Sequence, residues 1–461
     1  MNTTRSFSKY LSKRVIKKLF YDYLSTKNGK GIDGLTTEKF IVGLDDHIEV
    51  IIRKSKHGNY KFSRYLELLK SKGRDSKPRV ISLATVRDKL VLLLIKEFLH
   101  SVFNDSVNRK LPNNYIREVK SIIGKPGSKD LYLYKADITK FYDSINHGIL
   151  LMRLRKRIKS KRVLMLIDRS MKNLTVPLNY KRENYRLMIN EKGVPQGLSI
   201  SNILANIYMA GLDKRFNAKK RVKYLRYVDD ILLLGKKPNV DKAIQELKLR
   251  LKALDLEVNK TKEDYKSGVE GLEYLGYFLN DHMVTVRKST VERFIKSISA
   301  MFSHFKNSKH KRIERHPWLN EKLLKAIFVA EINEKITGAI SEKKRYGWIF
   351  YFMEINDLGL LYKLDSIVNE FFKRLPEFNY QSPRGVKRFI RAHFEAKFNS
   401  EGGYIHNYNK YKEIDQKIEY LRIMGYLHPK KQYSVPEIEK LFLKVRKRHL
   451  DQLEVDVATM S

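Results

Sequence analysis

Lys223-Tyr-Leu-Arg-Tyr-Val-Asp-Asp-Ile-Leu-Leu-Leu234 is two apolar segments broken by an acidic pair. The pattern predicts a β-hairpin with Asp229 and Asp230 at its bend. Adjacent carboxylates repel one another and strands disfavour Asp, so an acidic pair framed by apolar strands calls for a cation to offset its cost. An Asp-Asp pair alone is also a common polar turn, and the surrounding sequence decides between the two readings. Upstream, Leu131-Tyr-Leu-Tyr-Lys-Ala-Asp137 alternates toward another strand that ends on an acid, with helix-like sequence from Phe141 onward. Acids at a strand end and a hairpin bend supply hard oxygen donors for two Mg²⁺ ions. Such a pair, roughly 4 Å apart, stabilises both the attacking and the leaving oxygen in phosphoryl transfer.

Working outward, the stretch from Asp130 to Val286 reads as strand, helix, helix, hairpin, helix, hairpin, which predicts an α+β domain around an antiparallel sheet. Val240, Ala243, Ile244, Leu247, Leu251 and Leu254 recur at helical spacing. Leu272 to Leu279 and Met283 to Val286 predict a second hairpin joined by Asn280-Asp281-His282. Ser289 with Glu292 predicts a capping box opening a helix through Val291, Phe294, Ile295, Ile298 and Phe302. Beyond that point the chain reads as helical. The expected divisions are 1–126, 127–286 and 287–461.

The chain has 461 residues, enough for a large core, and 42% of them are hydrophobic. Lys and Arg number 93 against 51 Asp and Glu, a formal charge of +42. That excess points to a polyanionic partner, nucleic acid first. A membrane surface is the rival, but neither an amphipathic anchor nor a long apolar span is evident. Leu90 to Phe103 carries Lys96, Glu97 and His100 and predicts a core helix. Cysteine is absent, which excludes disulfides and thiolate metal sites and is compatible with a cytoplasmic setting. Met1 to Phe20 does not read as a secretory signal. An amphipathic helix through Leu11, Val15, Ile16 and Leu19 is the plainer reading, with a transit peptide as the alternative.

Tyr227-Val-Asp-Asp230, with Ala136-Asp137-Ile-Thr-Lys-Phe-Tyr-Asp-Ser-Ile145, resembles motifs C and A of reverse transcriptases. Between them Val194-Pro-Gln-Gly-Leu-Ser-Ile-Ser201, continuing to Leu204-Ala-Asn206, resembles motif B, although Leu198 to Ser201 lacks the proline many relatives carry. The resemblance implies a right-hand polymerase of fingers, palm and thumb followed by a helical C-terminal region. Asp137, Asp229 and Asp230, with the carbonyl of Ile138, would hold the metals, Mn²⁺ substituting for Mg²⁺. Asp143 would lie outside that set and cap or pair on a helix. Tyr142 would sit beneath the sugar of the incoming nucleotide and select dNTPs, and Gln196 and Gly197 would line the nucleotide pocket. Lys77-Pro-Arg-Val-Ile81 resembles a fingers segment, with Arg79 and then Lys77 expected on the triphosphate. Leu254-Asp-Leu-Glu-Val-Asn-Lys-Thr261 resembles motif D, with Lys260 as general acid. Glu273-Tyr-Leu-Gly276 resembles the primer grip, formed by Tyr274, Leu275 and Gly276.

Gly31-Ile-Asp-Gly-Leu-Thr36 resembles a segment typical of group II intron and related bacterial enzymes. The implied activity is RNA-directed DNA synthesis, with an RNA template, dNTPs and a DNA product and with no membrane partner. A non-coding RNA encoded nearby is one candidate template, and a homo-oligomer or accessory protein is compatible with the reading. Stand-alone defence-associated and abortive-infection reverse transcriptases are the preferred relatives, which implies antiphage defence. Retron or intron enzymes, and a non-catalytic RNA-binding scaffold, are the alternatives. Phe371, Phe372, Lys373 and Arg374 are candidate nucleic-acid contacts or ordinary helix faces, and the basic stretch from Lys306 to Arg315 reads as a linker or a contact surface.

Overall fold

The computed structural model describes residues 7–25, 29–71, 78–123, 130–181, 183 and 188–458. They fold as two compact units, one of Met1–Lys110 with Asp130–Lys266, the other of Leu111–Lys129 with Ser267–Ser461. These units cut the chain elsewhere than the expected divisions, and the hydrogen bonds within the second show why. Helix Pro112–Ile123 belongs with residues 350–354, because Asn113 donates to the Phe350 carbonyl at 2.8 Å and Arg117 pairs with Glu354 at 2.6 Å. Among the described residues the strands from Leu272 to Val286 pair only with one another.

In the first unit the amphipathic helix Lys13–Tyr23 buries Ile16, Leu19 and Phe20, as its spacing predicts. The apolar run becomes helix Val86–Val102, whose first turn is capped by the Thr85 hydroxyl accepting from Asp88 N–H. Asp88 is buried, and its carboxylate accepts from Tyr60 Oη at 2.6 Å and Ser63 N–H at 3.0 Å, so its role is structural. A four-stranded sheet runs in the order Val222–Tyr227, Asp230–Lys236, Leu131–Asp137, Asp264–Ser267. Ile231, Leu232, Leu233 and Leu234 are all buried, so the inner strand is covered on both faces. Helices Ser201–Asn217 and Lys237–Lys252 pack against it. A smaller sheet joins Arg79–Leu83, Tyr65–Lys70 and Thr175–Val176.

The central hairpin is tighter than expected. Tyr227 pairs with Asp230, so the bend is Val228-Asp229 and Asp230 already opens the next strand. Val228 sits at φ +57, a position that hairpins normally give to glycine and that is strained for a β-branched residue. Arg226, only 4% exposed, holds that bend: its Nη1 donates to the Val228 carbonyl at 2.7 Å. Nε and Nη2 grip both oxygens of Asp213 at 2.8 and 2.6 Å, and Nη2 also reaches Asn206 Oδ1.

In the second unit Leu272–Tyr274, Tyr277–Leu279 and Val284–Val286 form a three-stranded meander. The expected single strand from 272 to 279 is broken because Leu275 and Gly276 both adopt positive φ, the signature of a two-residue primed turn. Helix Lys288–Arg315 starts one residue ahead of the expected cap. Arg287 is its N-cap and makes no side-chain cap bond, so the Ser289–Glu292 capping box is not formed. The basic stretch from Lys306 to Arg315 is the end of this helix. The region after 286 is not purely helical, since Ala339–Ser341 pairs with Lys344–Tyr346 and His406–Asn407. Phe372 is fully buried and belongs to the core, whereas Phe371 is half-buried, packing on Phe302 with Arg374 over its ring. No helix among the described residues is long and apolar enough to cross a membrane.

Replacing Asp213 with alanine leaves the buried Arg226 cation without its main partner. Urea denaturation of Asp213→Ala is expected to show a loss of about 3–5 kcal/mol, the cost of an unpaired buried charge.

Candidate active site

Strand register brings the acids together. Asp137 is the cross-strand partner of Asp230, the last residue of one strand facing the first of the next. Ile138 N–H donates to the Asp229 carbonyl at 3.1 Å, which fixes the bend beside the strand end. On the other side Val258 bridges Ile138, Thr139 N–H donates to the Glu257 carbonyl at 2.9 Å, and Asn259 N–H donates to the Asp137 carbonyl at 2.7 Å. The Leu254–Thr261 segment is thereby laid alongside Asp137, and the short 3₁₀ turn Lys260–Lys262 follows it.

The lysine that reaches the acids is Lys262, whose Nζ lies 2.8 Å from Asp137 Oδ2. Lys260, the residue expected from the motif, is in the same turn and makes no such bond to the acids among the described residues. Both lysines stand in Asn259-Lys-Thr-Lys262, at the two ends of the same short turn. Burial works to lower the Lys262 ammonium, but the hydrogen bond and charge of Asp137 outweigh it and hold the group above its ordinary value.

Burial, reinforced by the charge of Asp137, raises the Asp229 carboxyl. The Asp230 carboxyl is pushed up to about 6, mainly by burial, with Asp229 and Asp137 adding to it and Lys135 opposing. Among the described residues no three His, Asp or Glu side chains are gathered closely enough to hold a metal as they stand. The donor chemistry nevertheless fits a hard divalent cation: Asp229 and Asp230 are held above the ordinary carboxylate range by burial and neighbouring acids, and an ammonium already binds Asp137.

The surrounding pieces converge on the same place. Val194 N–H donates to the Tyr142 carbonyl and Gly193 N–H to the Ile145 carbonyl, both at 2.8 Å. This ladder positions Tyr142 and Gln196 together. The Tyr142 hydroxyl is pushed up to about 12 by burial and the Asp229 charge, with Arg226 and Arg79 opposing, and its ring packs beside Phe141. Gln196 Nε2 donates to Asp143 Oδ1 at 3.3 Å, so Asp143 pairs with the motif B loop, outside the acid cluster. The Gln196 carbonyl accepts from Ser82 N–H at 2.7 Å, tying that loop to the strand that carries Arg79. Gly197, at φ +95, lies under the same strand: a Cβ there would come within 2.6 Å of Ile81 Cγ2. Lys77 lies outside the described residues. Tyr274, Leu275 and Gly276 belong to the second unit, where Tyr351 Oη donates to the Leu275 carbonyl at 3.2 Å.

Acids paired across two antiparallel strands, with a Gln-Gly loop and an arginine-bearing strand beside them, define a polymerase palm. Residues 69–279 match the family described as reverse transcriptase (RNA-dependent DNA polymerase). The group II intron-encoded protein LtrA of Lactococcus lactis is 26% identical over 47% of this chain and 36% of its own length. A 91 kDa protein in the cob intron of Schizosaccharomyces pombe is 25% identical over 53% of this chain and 32% of its own. The chain thus spans about a third of the length of these curated relatives, which come from a bacterium and a yeast. Among solved structures, a Candida albicans telomerase in complex with a telomeric RNA fragment is 12% identical at a TM-score of 0.42, covering 90% of this chain and 67% of that one.

Asp230 has a folded pKa of about 6, above the unfolded carboxylate's roughly 3.9. The protonated group is the stable one in the fold, so stability is complete below the unfolded value and is lost as pH rises through about 6. In metal-free buffer Asp230→Asn is therefore expected to raise stability near about pH 7.5 by roughly 2 kcal/mol and to change little near about pH 4. Thermal melts at the two pH values check it.

Proposed function

We propose that the chain is an RNA-directed DNA polymerase that adds dNTPs to a growing 3′ end. The observation that carries this is the pairing of Asp137 with Asp230 across two strands, with Asp229 on the adjoining bend. Asp137, Asp229, Asp230 and the carbonyl of Ile138 would hold two Mg²⁺ ions, or Mn²⁺ in their place. These ions supply the Lewis-acid and charge-neutralising part of phosphoryl transfer.

The chain's own residues do the rest. Arg79, exposed on its strand, is placed to meet the triphosphate, with Lys77 as its expected companion. Tyr142 offers a rigid ring beside Asp229, where it would exclude a 2′-hydroxyl. Gln196 and Gly197 form the wall against which base and sugar lie. Lys262 keeps its proton beside Asp137, which makes it, ahead of Lys260, the proton donor nearest the reacting phosphates. Tyr274, Leu275 and Gly276 are assigned to the primer strand by resemblance.

The template is RNA, and an RNA encoded nearby is our candidate. Antiphage defence in a bacterial cytoplasm is the setting we favour, on the resemblance to stand-alone defence enzymes. Relatives named for introns support copying of an intron RNA as the rival.

Purified protein with copurifying RNA, Mg²⁺ and labelled dNTPs is expected to make DNA. Asp229→Ala/Asp230→Ala should cut the rate at least about a hundredfold. Sequencing the product identifies the template and separates the two settings, whereas no synthesis on any supplied primer and template favours the non-catalytic scaffold. Tyr142→Ala is expected to raise rNTP use relative to dNTP use by about tenfold to a hundredfold in kcat/KM, the scale of one steric contact. Unchanged sugar selectivity would remove Tyr142 from the gate.

A further inference from the structure

The second unit contains a cavity of about 810 Å³ between helices Lys288–Arg315, Glu321–Thr337 and Val435–Ala458. Its volume suits a small organic ligand. Its lining combines three chemistries. Arg312, Arg315 and Arg448 bring cations, Trp318 and Tyr426 bring aromatic faces, and Glu331 brings a carboxylate. Arg315 and Arg448 are exposed, whereas Trp318 and Tyr426 are half-buried.

The neighbouring acid, Glu334, is already engaged: its oxygens accept from Tyr408 Oη at 2.8 Å and meet His449 Nδ1 at 2.9 Å. Glu331 is not. Among the described residues no hydrogen bond or ion pair reaches its carboxyl, although Arg312, His449 and Arg448 act on it through their charge. Burial holds that carboxyl above its ordinary value despite those charges, and Glu331 is half-buried, so a ligand donating two hydrogen bonds to it would replace water at acceptors that the fold does not use.

A ligand that satisfies all three must offer a pair of N–H donors, a flat ring and an anion. We propose that this cavity binds a guanine base carrying a 5′-phosphate, with Glu331 reading the base. The guanine N1–H and N2–H₂ would donate to the two oxygens of Glu331, a bidentate fit no other common base offers a carboxylate. Trp318 or Tyr426 would stack on the ring, and Arg315 and its neighbours would take the phosphate. The source is either a free guanine nucleotide or an unstacked guanine in RNA. The site lies wholly within the second unit and stands apart from the polymerase reading.

Equilibrium binding of labelled GMP and IMP to the full chain tests it, because inosine lacks the N2 amine. The same comparison is made with a short single-stranded RNA carrying one guanosine or one inosine. Wild type is expected to prefer guanine about tenfold or more, the worth of one hydrogen bond to a charged group. Glu331→Gln should erase that preference while DNA synthesis is unchanged. Arg315→Ala should weaken GMP but not guanosine, and Asp229→Ala/Asp230→Ala should bind GMP as wild type does. A guanine preference in GMP alone assigns a free nucleotide, and in the RNA alone an RNA guanine. Equal binding of guanine and inosine in both arms, or a preference that survives Glu331→Gln, overturns the proposal.

Discussion

The Arg226 guanidinium lies under the hairpin bend with almost no solvent contact, and the geometry of the acids depends on it. It donates to the Val228 carbonyl, and Asp213 and Asn206 hold it from helix Ser201–Asn217. A β-branched residue at positive φ stores strain on the order of 1–3 kcal/mol and persists only where its surroundings over-determine it. Those surroundings include a charge-assisted bond to the strained peptide itself. The helix after the Gln-Gly loop thus reaches into the turn that presents Asp229. Loop, helix and acids form one mechanical piece.

Much of this was legible in the sequence because the signals were local. Alternating apolar residues ending on Asp137, the interrupted run around Asp229 and Asp230, and the glycine after Gln196 each have a physical cause within a few residues. What was not legible depended on turns of one or two residues. Asp230 belongs to a strand and not to the bend, because Val228 tolerates a conformation that propensity would deny it. The run from Leu272 to Leu279 is two strands, because Leu275 accepts positive φ beside Gly276. Which of two lysines of identical chemistry bonds Asp137 depends on a single 3₁₀ turn, and there it is Lys262.

The second unit shows the limit of reading charge by composition. Basic and aromatic residues interleave along its helices, yet Phe372 serves the core, and Lys309 is bonded to the buried Glu377. Lys335 is likewise paired with Asp456 at a nearly buried site. The cations that remain at the rim of the large cavity stand out only after these pairs are assigned. Spacing alone does not separate Arg315 from Lys309, although they are less than two helical turns apart.

Helix Pro112–Ile123 buries Tyr115, Ile116, Val119 and Ile123, but its bonded partners, Phe350 and Glu354, lie 237 residues further along the chain. At ribosomal rates of about 5–20 residues per second, the helix waits on the order of tens of seconds for them to be made. Its apolar face is without these partners throughout that interval, while the strands from residue 130 to residue 236 can already pair. Synthesis therefore favours a folding order in which the acid-bearing sheet forms first. The early helix is then captured only once residue 354 has been made, a long-range closure that makes its docking slow relative to the local pairing of the sheet.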